Sequence, residues 1–135
     1  MIYPGDDIAD IIIHNLKENK ITIHNGDVLT IAQKIVSKSE NRYRELSSIK
    51  PTKKAKTFGD KISKDPRLVQ AVLDESKKIV RYKKNVLIVE HKLGFIHANA
   101  GIDRSNIDQK NEQILLLPKN PDKSCLLYTS DAADE

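Results

Sequence analysis

The stretch VLIVEHKLGFIHANAGIDRSN, residues 86–106, decides the fold of this chain. Its two apolar runs, residues 86–90 and 95–99, flank a Leu93-Gly94 turn, and this pattern predicts two paired strands. Small residues follow, among them Gly101, which adopts backbone angles that other residues resist. Next come a carboxylate, a guanidinium, a hydroxyl and a carboxamide, in the order Asp103, Arg104, Ser105 and Asn106. These groups are expected where a phosphate meets a divalent cation, on a loop that follows a strand.

Within this stretch, Asp103 and Asn106 are the candidate binding residues. Asp103 carries oxygen ligands of the kind that Mg²⁺ and Mn²⁺ prefer, and Asn106 can donate a hydrogen bond to a nucleotide. The alternative is a local turn in which either side chain bonds nearby backbone. One carboxylate is too few for a complete metal cage, so further ligands would have to come from elsewhere.

A second candidate patch is QKIVSKSENR, residues 33–42. Lys34 and Lys38 are four residues apart, so either a helix or a strand would place them on one face. A lysine ammonium is a point charge suited to phosphate oxygens, and Gln33 stands beside the first of them. The alternative is a solvated edge, with Lys38 and Glu40 in a weak surface pair.

Histidine does not provide a third site. No pair of histidines has zinc-ligand spacing and no cysteine assists them, so metal binding by histidine is not expected. The four histidines are His14, His24, His91 and His97.

The remaining periodicity indicates an α+β or mixed α/β fold, with helices packed on a small mixed sheet. The strand over residues 28–32 is expected to be buried on both faces, with Ile35 and Val36 continuing it or beginning its neighbour. The expected helices are residues 6–20, residues 52–63, and a third that opens at Asp65-Pro66 and continues past Val80; the last expected strand is residues 113–117.

Composition sets wider limits. The 135 residues are 39% hydrophobic and 31% charged, which is typical of one globular domain or a piece of one. No apolar run is long enough to span a membrane, the start lacks a signal peptide, and the single cysteine, Cys125, predicts a reducing cytoplasm. The formal net charge of +4 suits an anionic partner: a nucleotide, a phosphorylated metabolite or a nucleic acid. The six aromatic residues do not interleave with basic ones, which disfavours binding of single-stranded nucleic acid.

The last eleven residues, 125–135, match the translation of a transposase-type sequencing adapter. We expect them to be a read-through tail, with no regular element, following a domain that comprises residues 1–124 and is cut at its C-terminal end. Without the tail's three acidic residues, the formal net charge rises to +7. Cys125 then carries no redox role.

Several segments, in one order, resemble the coenzyme F420-0:γ-glutamyl ligase family. They are PGDDIA at 4–9, GDVL at 26–29, QKIVSK at 33–38, KDPRLV at 64–69 with Glu75-Ser76, Gly94-Phe95, NAGIDRSN at 99–106 and LLLP at 115–118. The resemblance covers residues 2–124. It departs from the family at Asn41, where a glycine is usual, and at His97, where a small or thiol residue is common.

The resemblance implies a GTP-dependent ligase that adds L-glutamate to a deazaflavin cofactor precursor through an acyl phosphate. It implies that Asp103 ligates Mg²⁺ or Mn²⁺, that Gln33, Lys34, Lys38 and Asn106 contact GTP, and that a monovalent cation such as K⁺ takes part. It also implies a cytoplasmic homodimer with no membrane or nucleic-acid partner. The family's N-terminal strand and its later metal and nucleotide ligands are missing, so the resemblance implies an incomplete domain that is truncated at both ends. We therefore expect the chain alone to be inactive.

Two other functions remain open on the sequence. A small basic nucleic-acid-binding domain would use the lysines clustered between residues 50 and 64 and would bind in a salt-dependent way. A non-catalytic nucleotide-binding module would bind GTP with metal and never turn it over.

Overall fold

The computed structural model describes residues 1–104 and 112–130. The chain divides into two compact units, Met1–Tyr43 with Leu117–Glu135, and Arg44–Leu116. Within the described residues, the helices are α1 Ile8–Glu18, α2 Gln33–Ser39, α3 Lys53–Ile62, α4 Pro66–Asp74 and α5 Pro121–Ser130. The strands are β1 Tyr43–Glu45, β2 Ser76–Lys83, β3 Val86–His91, β4 Ile96–Ala98 and β5 Gln113–Leu115.

Helix α1 confirms the first predicted helix, and its start is set by a local signal. The carboxylate of Asp7 accepts hydrogen bonds from the N–H groups of Ala9, at 2.8 Å, and Asp10, at 3.1 Å. Such a cap satisfies N–H groups that have no partner within the helix. The buried residue of α1 is Ile8, and the N–H of Gly5 donates to the carbonyl of Ser39 at 2.8 Å, which ties the approach of α1 to the end of α2.

The predicted strand over residues 28–32 is wrong. That segment has no regular structure, and Val28 and Leu29 are 85% and 58% exposed instead of buried. Ile35 and Val36 lie on α2, so they neither continue a strand nor begin one. A strand needs a neighbour to accept its backbone hydrogen bonds, and no strand of the described residues pairs with this segment.

In the second unit, α3 and α4 begin where the sequence predicts. The hydroxyl of Thr52 accepts from the N–H of Ala55 at 3.3 Å, and the carboxylate of Asp65 accepts from the N–H of Arg67 at 2.8 Å. Pro66 occupies the first turn of α4, where its missing N–H costs nothing. Buried side chains of both helices then pack with those of β3 in one core: Ala55, Ile62, Val69, Val72, Leu87 and Val89.

Helix α4 ends earlier than predicted. The sequence places Ile79 and Val80 on this helix, but α4 stops at Asp74 and both residues lie in β2. The seven-residue spacing from Val72 to Ile79 also fits a helix face, so periodicity alone misleads here. β2 pairs with β3, and the hydrogen bonds of that pair are gained only if the helix stops first.

The strands around Leu93-Gly94 confirm the predicted pair. β3 pairs antiparallel with β2 on one side and with β4 on the other, so this three-stranded sheet is antiparallel rather than mixed. β5 confirms the last predicted strand and pairs with β1. Helices packed on small sheets confirm the α+β class.

Helix α5 runs through the segment for which no regular element was expected, and it crosses the predicted boundary at residue 124. Its Leu126 and Leu127 are exposed, so the helix forms without burying an apolar stripe. The adapter origin of residues 125–135 stays a prediction. No helix among residues 1–104 and 112–130 combines the length and apolar character needed to cross a membrane.

Candidate functional site

A left-handed turn follows β4 at the predicted loop. Asn99, Ala100 and Gly101 have φ angles of 51°, 54° and 71°, and the N–H of Ile102 donates back to the carbonyl of Asn99 at 3.1 Å. A left-handed angle is unfavourable for alanine, whose Cβ crowds the backbone. Ala100 is nevertheless fully buried in the core of the second unit, so packing holds the turn in this shape.

The backbone of Asp103, which follows this turn, is held by two hydrogen bonds. Its N–H donates to the carbonyl of Leu115 at 2.9 Å, and its own carbonyl accepts from the N–H of Leu115 at 3.0 Å. The residue is half-buried. Two backbone hydrogen bonds to β5 therefore fix the main chain that carries the candidate metal ligand. Ser105 and Asn106 lie outside the described residues.

Lys64 is a residue of this site that sequence reasoning missed. Its Nζ donates to Oδ1 of Asn99 at 2.8 Å, across 35 positions of the chain. Burial of the ammonium, and then the nearby Arg104 guanidinium, lower the pKa of Lys64. In the sequence this lysine belongs to the basic cluster between residues 50 and 64. The one signal that distinguishes it from the other lysines is the resemblance of KDPRLV to the ligase family.

A charged network borders Lys64. One guanidinium nitrogen of Arg67 lies 2.7 Å from a carboxylate oxygen of Asp65, and the other lies 2.7 Å from an oxygen of Glu112. Hydrogen bonds from Arg67 hold the pKa of both carboxyls below their ordinary values, and Arg104 adds a smaller effect in the same direction. Both acids thus stay ionised beside three cations.

The second candidate patch is helical. Gln33, Lys34 and Lys38 all lie on α2, so the two lysines share one helix face as expected. Both lysines are half-buried, and the Gln33 amide donates to the hydroxyl of Ser37. The turn after α2 tolerates the departure at Asn41, which takes the left-handed φ of 52° that the usual glycine would allow.

The alternative surface pair of Lys38 with Glu40 does not form. The Glu40 carboxylate accepts instead from the N–H of Lys119 at 3.1 Å and from the hydroxyl of Ser124. The carboxylate therefore ties α2 to the start of α5, and it leaves the Lys38 ammonium without an ion pair among the described residues.

Of the candidate site residues that the structure describes, Asp103 is the acidic one. Its carboxylate is of the right chemistry, and one carboxylate suffices for a Mg²⁺ that takes its other ligands from substrate phosphates and water. Among residues 1–104 and 112–130, no group of three or more acidic, histidine or cysteine side chains could hold a metal ion. Of the four histidines, His14, His24 and His97 are exposed, and His91 is buried with its ring stacked on Phe95.

Comparison with known proteins matches the sequence of this chain to one family. The profile described as F420-0:Gamma-glutamyl ligase matches residues 1–127. Three relatives named Coenzyme F420:L-glutamate ligase come from methanogens. The protein of Methanothermobacter thermautotrophicus is 41% identical over 124 residues, which is 92% of this chain and 48% of the relative. That of Methanocaldococcus jannaschii is 45% identical over 102 residues, 76% of this chain and 40% of the relative.

The protein of Methanopyrus kandleri is 38% identical over 123 residues, 91% of this chain and 46% of the relative. The chain thus spans about half the length, or less, of these relatives. The match of the family profile includes the left-handed turn, Asp103 and α2. The chain belongs to the F420-0:gamma-glutamyl ligase family.

Proposed function

We propose that this chain is part of a GTP-dependent ligase that joins L-glutamate to the deazaflavin precursor of coenzyme F420. The observation that carries the proposal is the family match over residues 1–127. The relatives' name, Coenzyme F420:L-glutamate ligase, supplies the acceptor and the amino acid. The net positive charge of the chain suits substrates that are all anionic.

The reaction needs an activated carboxylate. A carboxylate does not condense with an amine in water because its oxygen is a poor leaving group. Transfer of the γ-phosphoryl group of GTP to that oxygen gives an acyl phosphate and GDP. The amine of glutamate then attacks the acyl carbon, phosphate leaves with the bonding electron pair, and the amine loses a proton to give the amide.

The roles of the residues follow from their chemistry. Lys34 and Lys38, on one face of α2, would present two ammonium groups to phosphate oxygens, and Gln33 and Asn106 would donate hydrogen bonds to the nucleotide. Asp103 would hold Mg²⁺ or Mn²⁺. When bound, the cation supplies Lewis-acid stabilisation of the phosphate charge. The lysines stabilise the same developing charge, most strongly where water is excluded.

We propose further that the chain alone does not complete the reaction, because it spans about half of its relatives. The part of the relatives that this chain does not span would supply the remaining metal and nucleotide ligands. The whole protein is proposed to work as a cytoplasmic homodimer, with K⁺ as an additional cation.

The test measures glutamate-containing product by mass spectrometry, with GTP, Mn²⁺, KCl, L-glutamate and the precursor. It compares this chain with a chimera in which the C-terminal half of the Methanothermobacter thermautotrophicus relative follows residue 124, and uses that whole relative as the positive control. Product from the chimera, dependent on GTP, supports the proposal. Turnover by the chain alone would refute the proposal that the chain alone is inactive.

A binding arm separates the other functions. Filter binding of labelled GTP with Mn²⁺ to the chain is compared with binding of a random DNA duplex at two salt concentrations. Salt-dependent duplex binding without preference for GTP would favour the nucleic-acid function. GTP binding by a folded chimera that never turns it over would favour the non-catalytic module.

A further inference from the structure

The ammonium of Lys64 has unused capacity to bind an anion. A lysine ammonium carries three N–H donors, and Asn99 accepts one of them at 2.8 Å. Lys64 is half-buried, so its other two donors have limited access to water. Among the described residues no carboxylate forms an ion pair with it.

The charges around Lys64 leave a positive excess. The neighbouring acids, Asp65 and Glu112, both bind the guanidinium of Arg67. Arg104 lies close enough to act electrostatically on Lys64 and on both acids. Three cations thus face two anions, and the lysine and Arg104 are the two cations that no carboxylate of the described residues contacts.

The junction of α3 and α4 fixes the position of the Lys64 backbone. Ser63 ends α3 in a left-handed conformation, with φ 56°, and the N–H of Lys64 donates to the carbonyl of Gly59 at 3.0 Å. A Cβ on Gly59 would lie 2.8 Å from the Lys64 carbonyl oxygen and 3.1 Å from Cγ of Pro66. The backbone of Lys64 therefore lies directly against α3, which sets where its side chain starts.

We propose that the ammonium of Lys64 binds a phosphate oxyanion beside the left-handed turn at Asn99–Gly101, which leads to Asp103. The site takes either the phosphate chain of the nucleotide or the phosphodiester of the precursor, since both present the same anionic oxygens. The inference rests on the proposed function only in taking the anion to be a substrate phosphate. Asn99 orients the ammonium, and the two remaining donors contact the anion.

The experiment measures binding of two simple probes to the whole chain by isothermal titration calorimetry at fixed ionic strength. Inorganic triphosphate stands for the nucleotide, and dimethyl phosphate stands for the phosphodiester. Lys64→Gln is expected to weaken binding of whichever probe the wild-type chain binds by about tenfold, as expected for the loss of a charge-assisted hydrogen bond. Lys56→Gln, an exposed lysine of α3 with the same loss of charge, is expected to change it less than about twofold.

A second variant separates binding from positioning. Asn99→Gly keeps the left-handed angle and the ammonium but removes the carboxamide, and it is expected to retain binding within about threefold of wild type. Thermal melts by circular dichroism identify any variant that fails to fold. Equal losses in Lys64→Gln and Asn99→Gly would overturn the proposal, as would binding of neither probe to the wild-type chain. Neither result bears on glutamate ligation, which the product assay measures separately.

Discussion

Replacement of Gly59 by alanine tests the packing that places Lys64. Alanine is the better helix former, by about 1 kcal/mol, so propensity alone predicts stabilisation of α3. The structure predicts the opposite, because the added Cβ would lie 2.8 Å from a backbone oxygen of Lys64 and 3.3 Å from Cα of Pro66. Backbone atoms cannot rotate away as a side chain does, so the junction of α3 and α4 must shift.

Overpacking of this kind costs about 1–3 kcal/mol of stability, and over most of that range the cost is larger than the gain of about 1 kcal/mol in helix propensity. We expect Gly59→Ala to lower the free energy of unfolding by about 1 kcal/mol and the Tm by about 4–8 °C, measured by circular dichroism at 222 nm. Thr57→Ala is the matched control, since it places alanine at an exposed position of the same helix and is expected to be neutral or slightly stabilising. A Gly59→Ala variant as stable as wild type, or more stable, would refute the close approach of α3 to the Lys64 backbone.

Three further predictions concern stability, and urea denaturation measures each. Ser63→Gly removes the strain of the left-handed end of α3 and should stabilise the chain by about 0.5–1 kcal/mol, whereas a loss would show that the angle is unstrained. Leu87→Ala leaves a cavity at a fully buried position of β3 and should lower the free energy of unfolding by about 2–5 kcal/mol. A loss under about 1 kcal/mol would contradict the assignment of Leu87 to the core. Arg67→Met should destabilise the chain near neutral pH and less so in acid. Arg67 lowers the pKa of Asp65 and Glu112, so its contribution is present above their ordinary pKa, about 4, and is lost as pH falls through the lowered values. A pH-independent difference between variant and wild type would refute that origin.

The parts of the fold that were predictable depend on local signals. The starts of α1, α3 and α4 are set by Asp7, Thr52 and Asp65, each of which binds backbone two or three residues away. The β3–β4 pair is similarly local, because its turn lies between the two strands. Such signals are visible in a short window of sequence.

The wrong predictions of secondary structure concern segments whose conformation depends on partners far away in the sequence. The segment from Val28 onward has the composition of a strand, yet no described strand pairs with it. Ile79 fits the helix period of α4, but β3 offers it a ladder of hydrogen bonds that periodicity cannot reveal. The contact of Lys64 with Asn99 joins residues 35 positions apart, so only the folded chain brings the two side chains together.

The candidate site was partly predictable for the same reason. The residue types around Asp103 and the turn before it are visible in the sequence, whereas their phosphate and cation chemistry stays a prediction. The left-handed turn at Ala100 was not predictable, because burial of that alanine, rather than its own preference, maintains the angle.

The most direct test of the central claim is a titration of Mn²⁺ in the presence of GTP, with free Mn²⁺ followed by electron paramagnetic resonance. We predict that Asp103→Asn, which keeps the shape and removes the charge, weakens Mn²⁺ binding at least about tenfold, or about 1.4 kcal/mol. Asp60→Asn, the same change at an exposed position of α3, should leave binding unchanged. Equal Mn²⁺ binding by wild type and Asp103→Asn would contradict the assignment of this carboxylate as the metal ligand.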